Sequence, residues 1–287
     1  MAIKGLAVPV FADYNFDGNV VRYTNGFVCG SAIEYGAEIE TTDNNPLYGD
    51  NRVIENDYGK FNGGTLTLNT SDLTQIDSKR LLGLKEVQVS VGEKTVTELV
   101  TDDDAKSTPK GFGIIEEHQI DDVDKYRGVI LCKVSMNIPA EAATTRGESI
   151  DWQTKEIEGA ISRSDENTAN YKHPWKREAW FDSEEEAMEY LRTMLNALIT
   201  VNATSQAGSG EGKTVITITN PSGLGTYKYS TTGPLPAYQQ DLTEWTDLPA
   251  GGEITAENGT TLYLAQVDAS KKAIGAGTVK VVAKEGA

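Results

Sequence analysis

Residues 44–70 read NNPLYGDNRVIENDYGKFNGGTLTLNT, and this stretch decides how the rest of the chain is interpreted. In its last third, Leu66 and Leu68 alternate with polar residues, which predicts a half-buried strand. Its first two thirds are too apolar for a solvated linker and too broken for a core strand. Loops longer than about 12–15 residues are usually functional or disordered. We therefore interpret 44–62 as an arm that finds its partner outside its own domain, with a mobile surface loop as the alternative.

The chain as a whole is globular and acidic. Its 287 residues are enough for one large domain or for a medium and a small one. The net charge is −17, and the eight acidic and six basic residues from Ser205 onward leave −15 on the first 204 residues. Affinity for phosphate needs basic residues, so this balance argues against an ordinary nucleic-acid-binding protein.

Cysteine use and the N-terminus indicate a protein of a reducing cytoplasm. Cys29 and Cys132 each lie in a strand-like run without zinc or redox spacing, which predicts buried, reduced thiols. The first residues, MAIKGLAVPVFADY, are too short an apolar run for a signal peptide or a membrane span. We therefore expect no membrane anchor.

Two predicted strands carry polar faces that could line a wet channel. In the strand predicted over 27–41, Glu34, Glu38 and Glu40 share one face, for which ordinary solvent exposure is the simplest interpretation and an acidic channel wall is the alternative. In the strand predicted over 126–138, one face is polar, with Lys133, Ser135 and Asn137. The opposite face is apolar, with Ile130, Cys132, Val134, Met136 and Ile138.

The predicted elements divide the chain into a larger and a smaller domain. Residues 1–201 are predicted to be mainly β with two helices, a short one that starts near Ser71 or Asp72 and a longer one capped by Ser183 with Glu186. Residues 202–212, NATSQAGSGEG, are predicted to be a flexible linker. Short strands separated by Gly, Pro and Asn over 213–287 predict a small immunoglobulin-like β-sandwich.

Motifs for chemistry are weak throughout the sequence. Gly212-Lys213-Thr214 resembles the end of a phosphate-binding loop, but it is preceded by a helix and followed by a strand, the reverse of the required context. His118 and His173 have no partner at metal-ligand spacing. We predict a protein that is not an enzyme and that has no catalytic residue, metal or cofactor. A hydrolase with an unrecognised carboxylate pair stays the weakest alternative.

A series of short motifs nevertheless stands in a familiar order. They are GLA at 5–7, GSAIEY at 30–35, PLYGDNRVIE at 46–55, GGTLTL at 63–68, LLG at 81–83, GFG at 111–113, TTRGESIDWQT at 144–154 and WFDSEEEA at 180–187. Across the first domain they resemble the major tail proteins, or tail-tube proteins, of long-tailed siphophages and their prophages. Many such proteins look as if they carry an immunoglobulin-like domain at the C-terminal end.

The resemblance implies a fold and an assembly. It implies two packed β-sheets with a flanking helix, in subunits that form hexameric rings whose inner sheets close into one β-barrel. The rings stack into a tube through which DNA passes without specific binding. The implied partners are further copies of the chain, a tape-measure protein and tail-tip or terminator proteins. The implied location is the virion tail, after synthesis in the cytoplasm of a bacterial host.

The resemblance also assigns roles to residues of this sequence. An arm between early strands reaches the neighbouring subunit or ring, and here its residues would be Leu47, Tyr48, Asp50, Asn51, Val53, Ile54, Tyr58 and Phe61. The candidate lumen residues are Glu34, Glu38, Glu40, Lys133, Ser135 and Asn137. A lumen lined with carboxylates would repel phosphate and let DNA slide.

A β-rich surface adhesin or carbohydrate-binding protein is the alternative function. Aromatic residues of the C-terminal domain could stack on sugars and give it a weak contact with sugars or cell surfaces, although core packing is the simpler interpretation. These residues are Tyr227, Tyr229, Tyr238, Trp245 and Tyr263. A secreted protein of this kind would normally carry an export signal.

Overall fold

The computed structural model describes residues 2–71, 73–92, 94–141, 145, 154–221 and 225–284. Most of the motif at 144–154 therefore lies outside the described residues. The described chain is mainly β with two helices, as predicted, and it divides into two compact units, 1–195 and 196–287. The first unit ends at Leu195, earlier than the predicted boundary at residue 201.

The first unit contains both helices. Its strands are β1 (Ala2–Phe16), β2 (Val21–Val28), β3 (Ala32–Thr41), β4 (Asn45–Gly49), β5 (Arg52–Asp57), β6 (Phe61–Thr70), β7 (Lys85–Val91), β8 (Lys94–Val100), β9 (Lys110–Ile120), β10 (Val123–Met136), β11 (Lys155–Ser162) and β12 (Lys176–Phe181). The helices are α1 (Gln75–Leu82) and α2 (Glu184–Leu195).

One strand, β10, belongs to both layers of the main sheet. The strand order is β2-β1-β9-β10-β11-β6-β3, and β12 also pairs with β10. Residues 126–131 of β10 pair with β12, whereas 133–136 pair with β11. The register between β9 and β10 shifts between Leu131 and Val134. Strands β1 and β3 are far apart in this order yet contact each other, so the sheet folds back on itself as two packed layers.

The main core lies between these two layers. Phe112 is fully buried at its centre, with ring centroids 5.0 Å from Phe11 and 5.9 Å from Tyr35, so it joins β9 to both β1 and β3. The buried side chains of this core are Phe11, Phe27, Cys29, Leu66, Leu68, Leu81, Leu82, Phe112, Ile114, Val129, Leu131, Val134, Met136, Ile157 and Ile161.

Helix α2 packs against the sheet where glycines leave room for it. A Cβ atom at Gly113 would lie 2.8 Å from Leu195 and 2.9 Å from Leu191, and one at Gly128 would lie 2.9 Å from Tyr190. Side chains at these positions would push the helix off the sheet.

The predicted cap at the start of α2 is present, with the return bond of the capping box shifted by one residue to Asp182. Ser183 Oγ accepts from the Glu186 backbone N–H at 3.3 Å, and the Glu186 carboxylate accepts from the Asp182 N–H at 3.2 Å. The cap of α1 differs from the prediction. It is Thr74, whose hydroxyl accepts from the Asp77 N–H, because the helix begins later than Ser71.

Both cysteines are expected to resist alkylation in the folded protein. Cys29 and Cys132 are buried, and burial raises the pKa of the Cys29 thiol to about 12 and that of Cys132 to about 11. The thiolate is the nucleophile, so almost none is present at pH 8. Mass spectrometry after iodoacetamide should find no adduct on the native chain and two after denaturation. Rapid labelling of the native chain would contradict the buried placement.

The second unit consists of two packed sheets. Its strands are β13 (Ile199–Thr200), β14 (Ala203–Ala207), β15 (Lys213–Ile218), β16 (Thr226–Ser230), β17 (Thr246–Asp247), β18 (Glu253–Thr255), β19 (Thr261–Val267) and β20 (Ala273–Lys280). The order is β13-β20-β19-β16-β17 in one sheet and β14-β15-β18 in the other. The core includes Val201, Ile216, Ile254, Leu262, Leu264 and Val281.

The predicted flexible linker at 202–212 is instead part of this second unit. Ala203–Ala207 forms strand β14, which pairs with β15 over its full length. The Ser205 hydroxyl also accepts from the Val282 N–H at 2.8 Å. The small, polar residues of this stretch form an outer strand of the sheet. Their composition is typical of a linker, and for that reason the prediction was wrong.

Candidate assembly surfaces

The predicted arm is an ordered β-hairpin. Strands β4 and β5 are joined by Asp50 and Asn51, whose φ angles of 49° and 58° are those of a type I′ turn. At its base, the Asn44 side chain accepts from the Gly59 N–H at 2.8 Å, and Thr42 Oγ1 accepts from the Lys60 N–H at 2.9 Å. The hairpin therefore continues the β3–β6 pair as one long ribbon, not the irregular loop expected from the sequence.

Both faces of the arm present apolar side chains to solvent. Leu47 and Tyr48 are consecutive in β4, so they point to opposite faces. Leu47 lies opposite Glu55, and Tyr48 lies opposite Val53, with a bulge between the two pairs. The exposed fractions are 59% for Leu47, 66% for Tyr48, 49% for Val53, 63% for Ile54 and 72% for Tyr58. An arm with two apolar faces fits between two surfaces better than onto one.

The assignment of Phe61 to the arm was wrong. Phe61 is the first residue of β6 and lies opposite Thr41 of β3. Its ring stacks on Trp175 with centroids 4.7 Å apart and planes 3° apart, and it packs against the main core. The strand ladder has already resumed at this position, so the arm ends before Phe61.

The three glutamates of β3 lie on one exposed face of the sheet. Leu66 and Leu68 of β6 are fully buried, which places the neighbouring residues of β6 on the outer side. Glu34 pairs with Asn69 and Glu38 with Thr65 across the β3–β6 ladder, so these glutamates share that outer side.

The structure brings the second predicted lumen set onto the same face. Ser135 of β10 lies opposite Ala160 of β11, and the Asn137 N–H donates to the Glu158 carbonyl at 2.8 Å. Lys133 lies on this side as well, but its ammonium contacts the Asp165 carboxylate at 2.6 Å. We call this surface the polar face. Its residues are Glu34, Glu38, Glu40, Thr65, Thr67, Asn69, Ser135, Asn137, Glu156 and Glu158.

Two of these carboxylates were missed by the sequence reasoning. Glu156 and Glu158 of β11 lie opposite Asn69 and Thr67 of β6. Their alternation with Ile157 and Ile161 was visible in the sequence and could have placed them there. Strand β3 ends the sheet, and in the described part of the chain no strand pairs with its outer edge.

The aromatic residues of the second unit mainly serve packing. Tyr227 and Tyr229 pack against its core, and Trp245 packs against a smaller cluster around Leu242. The ring of Tyr263 covers Gly233, where a Cβ atom would lie 2.5 Å from it. With Tyr238, all five are half-buried.

The two histidines have structural partners. His118 is buried with Nε2 3.0 Å from a Glu116 carboxylate oxygen, and His173 Nδ1 lies 3.0 Å from the Ser164 carbonyl oxygen. Among the residues that the structure describes, no three His, Cys, Asp or Glu side chains are grouped as a metal site. Neither helix in the described ranges has the length and apolar character needed to cross a membrane.

A second ribbon also escaped the sequence reasoning. Strands β7 and β8 form a hairpin with exposed Val87, Val91 and Val96. The comparisons with known proteins add no functional assignment to these surfaces. No protein-family model matches the chain, and no curated protein matches it significantly.

Proposed function

We propose that this chain is a tail-tube subunit of a long-tailed phage, which assembles as hexameric rings stacked into a conduit for DNA. The observation that carries the proposal is that one ribbon, residues 32–70, supplies both a wall of the polar face and a protruding apolar arm. A subunit of a tube needs both features, a smooth surface toward the lumen and a contact toward the next copy.

The polar face has the chemistry of a surface past which DNA slides. Its side chains are short hydroxyls, amides and carboxylates, and the nearby Lys133 is neutralised by Asp165. Phosphate therefore meets repulsion instead of ion pairs. The first 204 residues carry a charge of −15, which supports the same behaviour.

The sheet edge and the arm supply the contacts between copies. The free edge of β3 offers unpaired backbone groups, and pairing with a neighbouring copy would close the sheet and remove an edge that otherwise invites aggregation. The arm extends about 26 Å beyond the base at Thr42, since its eight residues rise about 3.3 Å each. That length reaches a neighbouring subunit. The second unit is proposed to be the immunoglobulin-like domain of such proteins.

Electron microscopy of the purified chain tests the proposal. Negative staining of concentrated protein should show rings or tubes of constant diameter, since six copies close each ring. Dispersed single particles at every concentration and salt condition would refute the tail-tube assignment. The adhesin alternative predicts such dispersed particles together with binding on a glycan array.

Charge reversal on the polar face is expected to let free subunits bind DNA, whereas assembled tubes, in which this face lines the lumen, should not bind it. Replacing Glu34, Glu38 and Glu40 with lysine raises the net charge by six, which should make free subunits bind plasmid DNA at low salt. Circular plasmid cannot thread a closed tube, so assembled tubes of this variant should not bind it. The measurement is sedimentation of plasmid with tubes.

A matched variant distinguishes charge added in the lumen from charge added on the outer surface of the tube. Glu184, Glu185 and Glu189 on α2 are exposed, and their replacement with lysine adds the same charge outside the polar face. Tubes of this matched variant should carry plasmid with them when they sediment. Equal binding by tubes of both variants would place the polar face on the outside.

A further inference from the structure

The hairpin β7–β8 has one apolar face and one polar face. Across the ladder, Val87 lies opposite Glu98, Val89 opposite Val96 and Val91 opposite Lys94. Paired residues share a face, so these six side chains form one surface, which we call the valine face: Val87, Val89, Val91, Lys94, Val96 and Glu98. The opposite face carries Gln88, Ser90, Thr95 and Thr97.

The valine face is exposed to solvent, although its apolar side chains are suited to a contact with another protein surface. The exposed fractions are 45% for Val87, 61% for Val91 and 42% for Val96. In the described part of the chain, β7 and β8 form a sheet of two strands that no further strand joins. An isolated hairpin is only marginally stable in water, and a contiguous apolar surface usually marks an interaction site.

The charges on the valine face indicate what covers it. In β8, Lys94 lies two residues before Val96 and Glu98 lies two residues after it. Neither charge has an ion pair among the described residues. Lys85 and Glu86, in contrast, are already paired with Asp102 and Lys79.

This layout is complementary to itself. When two copies of the valine face meet across a two-fold axis through Val96, Lys94 of each copy lies against Glu98 of the other. Both free charges are then paired, and the valines of the two copies are buried between them. A foreign surface would need to match this alternation by chance, whereas a second copy matches it by symmetry.

We propose that two copies of this chain associate through their valine faces, with Val89 and Val96 near the two-fold axis and two reciprocal Lys94–Glu98 ion pairs. Strands of seven residues give a face about 23 Å long, so the buried area is small and the pair is weak. A two-fold contact is closed and recruits no third copy. The proposal does not rest on the tail-tube function.

Sedimentation equilibrium of charge-reversal variants tests the proposal. The experiment uses the Leu47→Asp/Tyr48→Asp chain, in which the arm is disabled, at concentrations up to about 1 mM, a range that detects weak pairs. With rising concentration, the apparent mass of this parent chain should approach twice its monomer mass of 31.1 kDa. Lys94→Glu and Glu98→Lys should each weaken dimerisation at least tenfold, because like charges then meet across the axis.

Mixing the two variants gives the decisive readout. In an equal mixture of Lys94→Glu and Glu98→Lys chains, every facing pair is again opposite in charge, so a heterodimer should form. The double variant should dimerise like the parent. Ser90→Glu on the opposite face is the control and should leave the dimer unchanged. A monomeric parent over the whole range, or a mixture no heavier than its components, would overturn the proposal.

Discussion

The Leu47→Asp/Tyr48→Asp variant is expected to form no tubes while it remains folded. These side chains are 59% and 66% exposed in the single chain and point to opposite faces of the arm. Their replacement should change folding stability by no more than about 0.5 kcal/mol, as is usual for surface positions. In an assembled tube the new carboxylates would be buried without partners, which costs several kcal/mol for each contact. Electron microscopy and circular dichroism measure the two effects.

Single substitutions and a control substitution in the second unit make this test sharper. Leu47→Asp and Tyr48→Asp alone should each abolish tubes if both faces of the arm are covered. Val282→Asp, which changes a residue 49% exposed in the second unit, should leave tubes intact. Normal tubes from the double variant would show that the arm is not an assembly contact.

Phe112→Ala is expected to destabilise the first unit more than any surface change. The Phe112 ring is fully buried between both layers of the sheet, against Phe11 and Tyr35. Removing a buried phenylalanine ring typically costs about 3–5 kcal/mol, a large part of the 5–15 kcal/mol that stabilises a domain. Calorimetry should show the transition of this unit lowered by roughly 6–20 °C.

A surface phenylalanine provides the control. Phe16, at the end of β1, is 43% exposed, and Phe16→Ala should shift the same transition little. The transition of the second unit should not move in either variant. Equal effects of Phe16→Ala and Phe112→Ala would show that the core does not lie between the two layers.

Local signals in the sequence were sufficient where a single face or a single cap determines the structure. The alternation of Leu66 and Leu68 with polar residues correctly predicted a strand with one buried side, because its other side faces solvent. Ser183 and Glu186 correctly predicted the start of α2, because a capping box depends only on residues a turn apart.

The same reasoning failed where tertiary contacts cover both sides of a strand. Ile130 and Cys132 were expected to share a face with Val134, but the core between the layers contains Leu131 and Val134. The register shift at 131–134 changes which side points inward. Ile130 and Cys132 are buried as well, so the whole segment is apolar and hides the shift.

The candidate site was predictable in part for a similar reason. The apolar residues of the arm stand out in the sequence because they break an expected pattern, and the glutamates of β3 stand out because they alternate along one strand face. That the glutamates share a sheet face with Ser135 and Asn137 could not be predicted, since it depends on pairing between strands distant in the chain. The hairpin β7–β8 was missed because its valines continue in one strand-like run across the turn at Gly92.

The base of the arm has a mechanical consequence. At the base, the side chains of Asn44 and Thr42 tie the two strands of the ribbon together by accepting from the backbone of Gly59 and Lys60. In a tube built as proposed, each ring would be linked to the next through such slender joints. The rings themselves, with their two packed layers, would stay rigid. Such a tube would bend along its axis while its bore kept a constant width.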